Sequence, residues 1–165
     1  MNPNLLQSSN PVSKNVQPKT LERASVWSRY RKVRALTESL AKPLSDEDQC
    51  VQAMADASPT KWHLGHTSWF FETVVLRQFW PELPVYDEQF LYLFNSYYES
   101  LGPRQPRPQR GLITRPSVAQ VNAYRVHVDA HIQAFIQRCD PADWVLAFQA
   151  IELGLNHEQQ HQELL

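Results

Sequence analysis

The sequence predicts an all-α protein, a four-helix bundle with one long crossover connection. Only 4 glycines occur in 165 residues, and helix-forming residues fill the stretches between prolines, which disfavours a sheet-rich fold. Four long segments repeat apolar side chains at intervals of three and four residues, as amphipathic helices do. A long proline-containing segment separates the second of them from the third, so a bundle with a crossover is the expected architecture.

The helix ends are predicted from proline and from capping residues. Pro43 ends the first helix, and Ser58 followed by Pro59 is a typical N-cap and first helical position. Ser117 and Gln120 have the spacing of a capping box. The expected helical ranges are 21–41, a short helix at 45–54, then 58–79, 117–139, and 140 continuing past the end of the chain.

The crossover is expected over 81–116, with one helical stretch at 88–99. Its last part, GPRQPRPQRGLITRP, has four prolines and four arginines, so no regular structure is expected there. A connection of this length in a compact domain is either functional or disordered. Residues 1–18, rich in Asn, Ser, Pro and Gln, are expected to form a disordered arm before a bundle over 19–165. Because the chain stops inside a helical pattern, a further domain is expected after residue 165.

The composition gives no reason to expect nucleic acid or a membrane as a partner. Lys+Arg number 16 and Asp+Glu 17, for a net charge of -1, and no apolar run approaches the roughly 20 residues of a membrane span. The first residues lack the pattern of a secretory signal, so a cytoplasmic location is expected. Cys50 and Cys139 have no motif spacing and are expected to be reduced.

Two pairs of histidines are spaced four residues apart, so that either pair lies on one helix face. His127 and His131 lie about 120° and about 80° from the apolar stripe of their helix, as residues at a surface or boundary do. His157 and His161 instead continue a second apolar stripe of the last helix, which is expected to be covered on both sides. Buried imidazoles need partners for their nitrogens, and a metal ion would satisfy both.

A third ligand is expected from the helix at 58–79. His66 shares a face with Trp62 and Trp69, whereas His63 lies about 60° away and is the second choice. The alternative is a set of core histidines hydrogen-bonded to carboxylates such as Glu152 or Glu158. Three neutral histidines would suit Fe(II), Zn(II) or Cu(II) equally, so spacing does not identify the metal.

Three segments of the sequence resemble a known family. SPTKWHLGHTSWFFET, LGLNHEQQHQELL and FNSYYESLGPRQPRPQRGLITRPSV, at 58–73, 153–165 and 94–118, are similar to the DinB-like domain that begins ergothioneine-biosynthesis sulfoxide synthases. The resemblance covers about 23–165. It implies a DinB-like bundle that binds one Fe(II) through His66, His157 and His161, followed by a domain that resembles formylglycine-generating enzymes.

The resemblance also implies a reaction, in which O2 drives formation of a C–S bond between hercynine and a thiol (cysteine or γ-glutamylcysteine) to give a sulfoxide. Gln160 matches a family residue that hydrogen bonds to the substrate imidazole, and Arg104, Arg107 and Arg110 lie where crossover arginines could hold a carboxylate. The catalytic tyrosine of the family lies in the domain expected after residue 165, so no catalytic residue is assigned.

Three other interpretations remain open from the residues. Selenoneine synthases, which join hercynine to a selenosugar, resemble the same branch, and nothing in these residues separates sulfur from selenium. Other DinB-like bundles resemble zinc-dependent thiol transferases. A third class is a bundle without enzymatic activity, whose histidines only stabilise the core.

Overall fold

The computed structural model describes residues 22–96 and 103–165, and within these ranges the chain is helical and has no strand. The prediction of an all-α fold is therefore confirmed. None of the described helices is both long and apolar enough to cross a membrane. The main helices are α1 (Arg23–Ala41), α2 (Thr60–Phe70, continued by the π-helical Phe71–Leu76 and by Arg77–Phe79), α3 (Glu88–Leu93), α4 (Val118–Arg138) and α5 (Trp144–Gln162).

Helix α2 is the central helix, since every residue from 61 to 70 is buried. Both α1 and α2 pack against α4 and α5, which is the arrangement of a four-helix bundle. The core between them contains aromatic and aliphatic side chains from all four helices, such as Tyr30, Phe71, Ile132 and Ile151, each 0% exposed. The histidines of α2 are thereby held in the interior and face α5.

Two glycines permit close contacts with α2. A Cβ atom on Gly154 would lie 2.5 Å from Cε1 of Phe71, the first residue of the π-helical segment, so α5 can approach this segment only with glycine there. A Cβ atom on Gly65 would overlap the ring of Phe94, the residue after α3. Gly65 therefore allows the chain after α3 to lie directly on α2.

A buried ionic cluster joins three helices. Glu158 of α5 is 0% exposed; it accepts hydrogen bonds from Arg34 of α1 at 2.9 Å and from Arg125 of α4 at 3.1 Å. Burial raises the pKa of the Glu158 carboxyl, but the two arginines outweigh this and lower it to about 2. Glu158 is therefore ionised at neutral pH.

Several predicted helix ends are wrong by a few residues. The Ser45–Asp48 hydrogen bonds form, but they begin only the 3-10 turn Asp48–Cys50 and not a helix over 45–54. Ser58 does not cap α2, which begins at Thr60, because its hydroxyl accepts from Arg110. The capping box of Ser117 and Gln120 is confirmed at the start of α4.

The last helix and the crossover also differ from expectation. The side chain of Asp140 accepts from the N–H of Ala142, which stabilises a turn, and α5 begins only at Trp144. Its last residue is Gln162, and the predicted continuation past residue 165 stays a prediction. The 3-10 helix Arg107–Leu112 occupies the arginine-rich segment, where no regular structure is expected. The predicted stretch 88–99 is helical over Glu88–Leu93, and its last three residues lie outside the described ranges, as does the predicted arm 1–18.

Within the described residues, the last helix is covered on one side only, and cover of its other side by a further domain stays a prediction. Leu146 and Leu153 are 59% and 55% exposed, whereas the buried side of α5 carries Ile151, Leu155 and Glu158. His157 and His161 are half-buried at the edge of a cavity.

Candidate metal centre

Three histidine side chains from α2 and α5 converge on one point. His157 Nε2 lies 3.2 Å from His66 Nε2 and 3.2 Å from His161 Nε2. Among the described residues, these three form the group of ligand-type atoms that lie within 4.8 Å of one another. The four-residue spacing on α5 and the facing position on α2 thus bring together the three histidines that the sequence singled out.

The ring of His66 is held by two stacked tryptophans and by a hydrogen bond at its outer nitrogen, the ring nitrogen that faces away from the converging group. Trp62 and Trp69 stack on it, with ring centroids at 4.5 Å and 5.6 Å and interplanar angles of 15° and 16°. His66 Nδ1 donates a hydrogen bond to the carbonyl oxygen of Phe94 at 2.6 Å. Because a carbonyl can only accept, this bond places the proton on Nδ1 and leaves a lone pair on Nε2 of the neutral ring.

The two imidazoles of α5 have different surroundings. The His157 ring lies 4.4 Å from the ring of Phe70, and its buried Nδ1 has no hydrogen-bond partner within the described structure. His161 Nδ1 lies 2.7 Å from His63 Nδ1. His63 therefore contacts the nitrogen of His161 that faces away from the converging group, and it is not itself part of that group.

The imidazoles are neutral at physiological pH. Burial lowers the pKa of His157 to about 4, and burial together with His157 and His63 lowers that of His161 to about 3. Burial, followed by the charges of His161 and His157, also lowers the pKa of His66 well below its ordinary value. Neutral rings offer the lone pairs that a metal ion requires.

Hydrogen bonds alone do not satisfy the three converging nitrogens. His66 Nε2 carries a lone pair, so His157 Nε2 can donate a hydrogen bond to it. A His157 Nε2 that carries this proton has no lone pair left, so it cannot also accept a hydrogen bond from His161 Nε2. A metal ion would be bound by all three lone pairs. Nitrogens about 2.0–2.1 Å from one ion are roughly 3.2 Å apart at a ligand angle of about 100°, which matches the observed 3.2 Å separations. The donor set and its spacing thus fit a transition-metal ion.

A cavity of about 380 Å³ opens beside the histidines. Gln160, Arg107 and Arg110 line it together with His157 and His161. Arg104 does not line this cavity; its Nη1 donates to the carbonyl of Ser96 at 2.7 Å, and it borders an adjoining cavity of about 600 Å³. Of the predicted substrate-binding residues, Gln160 and Arg107 therefore lie beside the histidines and Arg104 lies further away.

Arg110 is the most deeply buried arginine of the crossover, at 3% exposure. Its guanidinium lies 3.4 Å above the ring of Trp62 and donates to the hydroxyls of Ser58 at 2.8 Å and Ser96 at 3.0 Å. No carboxylate in the described residues pairs with it. Burial, followed by the charges of Arg107 and Arg104, lowers its pKa to about 10, so it remains a cation at neutral pH.

The remaining histidines and carboxylates do not form a competing site in the described chain. His131 Nδ1 donates to the carbonyl of His127 at 2.8 Å, and both rings lie half-buried on α4. Glu152 pairs with Arg29 at 2.7 Å, and Glu158 with the arginines of the ionic cluster. Glu152 and Glu158 therefore do not form the hydrogen bonds to histidines that the alternative interpretation required.

The sequence reasoning missed how the crossover is fixed to α2. The stacking of Arg110 on Trp62 and its bonds to two serines had no local signal, because these residues lie far apart in the chain. The sequence does not distinguish a buried arginine in a proline-rich segment from an arginine on the surface.

The chain matches a family model. The model of the DinB superfamily covers residues 29–165, which includes α1 from its seventh residue and all three converging histidines. A search of curated proteins finds no match. Since the family model extends over most of the chain and the bundle is all-helical, this chain belongs to the DinB superfamily.

Proposed function

We propose that His66, His157 and His161 bind a single Fe(II) and that the protein joins hercynine to a thiol in an O2-dependent reaction. The observation that carries the metal site is the convergence of three neutral Nε2 atoms beside a cavity. The choice of iron and of this reaction comes from the resemblance of the histidine and crossover segments to ergothioneine-biosynthesis sulfoxide synthases.

The reaction is an oxidation by O2. The imidazole C–H and the thiol S–H are replaced by a C–S bond, the sulfur gains one oxygen atom, and O2 takes up four electrons, its second atom leaving as water. Bound Fe(II) would supply the redox chemistry and the open positions at which the reactants meet. The group that transfers protons is proposed to lie in the domain expected after residue 165.

The residues of this chain would bind and orient the substrates. Arg110 is a buried cation without a carboxylate partner in the described structure, and Arg107 lines the same cavity. Such a cavity suits the carboxylate of an amino acid, since arginine pairs with carboxylates in a bidentate manner. Gln160 is proposed to hydrogen bond to the substrate imidazole; Arg104, which borders the adjoining cavity, would act on a longer donor such as γ-glutamylcysteine.

The first test concerns the metal. Full-length protein purified without oxygen is expected to contain one iron per chain, and His66→Ala, His157→Ala and His161→Ala are each expected to abolish stoichiometric binding. The matched controls His127→Ala and His131→Ala should retain the metal. Tightly bound zinc and no reaction with O2 would favour a thiol transferase, and no metal with an unchanged melting temperature after chelation would favour a structural bundle.

The second test concerns the substrates. Oxygen uptake by the iron-loaded full-length protein, which includes the domain expected after residue 165, is measured with hercynine and with cysteine, γ-glutamylcysteine or a selenosugar as the donor; residues 1–165 alone are expected to be inactive. Uptake that requires hercynine and a thiol is the expected result. Uptake with the selenosugar alone would assign selenoneine synthesis, and no hercynine-dependent uptake with any donor would refute the oxidative function.

A further inference from the structure

We infer that His63 is a positioning residue for the metal centre: its unprotonated Nδ1 accepts a hydrogen bond from His161 Nδ1–H and thereby directs His161 Nε2 towards the ion. This inference rests on the proposed metal centre and adds to it a residue outside the ligand set. It concerns the contact between the two Nδ1 atoms, which are 2.7 Å apart.

The direction of this hydrogen bond follows from the opposite side of the His161 ring. Nε2 of His161 lies 3.2 Å from Nε2 of His157, in the converging group. A ring that offers a lone pair at Nε2 and remains neutral carries its proton on Nδ1. Nδ1–H is therefore the donor, and His63 Nδ1 must be the acceptor.

The surroundings of His63 favour this acceptor role. The side chain is 4% exposed, and its ring packs at 80° to that of Trp62, with the centroids 5.6 Å apart. Burial and the contact with Trp62 therefore hold the His63 ring in place beside His161.

The three ligands differ in what holds their outer nitrogens. The outer nitrogen of His66 donates to the backbone carbonyl of Phe94, and that of His157 has no partner among the described groups. Only for His161 is the outer partner a side chain that substitution can remove. Outer partners of metal-bound histidines fix the tautomer and the ring orientation, and their loss typically weakens metal binding about 10–100-fold.

The test compares two substitutions of His63 in the metal-binding protein. His63→Phe keeps a ring of similar shape but removes the acceptor, and His63→Asn retains an acceptor oxygen close to the position of Nδ1. The dissociation constant for Co(II) is measured from its visible absorption. We expect weakening of about 10–100-fold for His63→Phe and near wild-type binding for His63→Asn and for the matched control His127→Phe.

A second measurement separates positioning from a general structural effect. In the Co(II)-loaded protein, the imidazole N–H protons of the ligands give shifted, exchangeable ¹H NMR signals. His63→Phe should broaden the His161 N–H signal by exchange with water and leave the His66 N–H signal in place, since Phe94 still accepts from it.

The outcomes distinguish the inference from the proposed function. Absence of metal binding by the wild-type protein refutes the metal centre itself. Equal affinity in wild type and His63→Phe refutes the positioning role and leaves the centre intact. Equal weakening in His63→Phe and His63→Asn would also overturn it, because the acceptor would then not be the feature that matters.

Discussion

Substitution of Glu158 by glutamine removes the charge that neutralises two buried arginines. In the folded protein Arg34 and Arg125, which are 2% and 1% exposed, both donate to this carboxylate. Without it Arg34 still pairs with Asp129 at 2.7 Å, whereas the nearest remaining carboxylate of Arg125 is that of Glu38 at 3.9 Å. Glu158→Gln should therefore leave a buried positive charge poorly compensated.

The magnitude follows from the pKa of Glu158. Folding lowers this pKa from 4.5 to about 2, which corresponds to a stabilisation on the order of 3 kcal/mol. Removing one partner of a buried ion pair costs about 3–5 kcal/mol in general, so the two figures agree. Because the pKa is lower in the folded state, the stabilisation is complete above about pH 4.5 and is lost as the pH falls towards 2.

The assay is urea unfolding of the metal-free wild type, Glu158→Gln and the control Glu152→Gln. Glu152 lies on the same helix, but its pair with Arg29 is partly exposed, with side-chain exposures of 31% and 46%, so its loss should cost at most about 1 kcal/mol. At pH 7 Glu158→Gln should lose about 3 kcal/mol, and the difference from wild type should narrow in acid. Equal effects of the two substitutions would refute the importance of this cluster.

Two further predictions concern the metal centre. Gly65→Ala should destabilise the fold, since its Cβ would overlap the ring of Phe94 and overpacking costs about 1–3 kcal/mol. The same substitution should weaken metal binding, because Phe94 would move away from His66. An unchanged affinity in a Co(II) titration would contradict this expectation. Metal affinity should be nearly independent of pH between about 6 and 8, because the pKa values of His157 and His161 are about 4 and about 3 and protons compete only below them. A tenfold fall in affinity from pH 7 to pH 6 would show that the imidazoles titrate normally.

The parts of the structure that the sequence predicted are those encoded by neighbouring residues. The capping box of Ser117 and Gln120 needs only four residues, and it forms as expected. One helical turn is enough to place His157 and His161 on the same face of α5. On α2, the helix period alone distinguishes the direction of His66 from that of His63. Each of these follows from local geometry that the rest of the fold does not alter.

The parts that were missed depend on residues distant in sequence. Ser58 has the identity of an N-cap, but its hydroxyl accepts from Arg110, 52 residues away, and a charged donor is a stronger partner than a backbone N–H. The same contact explains the ordered 3-10 helix in a segment whose composition predicts none. Residue spacing alone allows Glu158 to pair with either a histidine or an arginine. Its partners are arginines because the fold places α1 and α4 beside it.

The rotation of α5 about its axis sets both the ion pairs of Glu158 and the positions of His157 and His161. Successive residues on a helix differ by about 100°, so Glu158 cannot share a direction with His157, and it points towards the arginines of α1 and α4 while the histidines point towards α2. A turn of α5 that moved the imidazoles away from His66 would also pull a fully buried carboxylate from Arg34 and Arg125. Among the described residues, the ionic cluster on one side of α5 therefore fixes the position of the converging histidine nitrogens on the other side. The site can therefore be preformed before the ion binds.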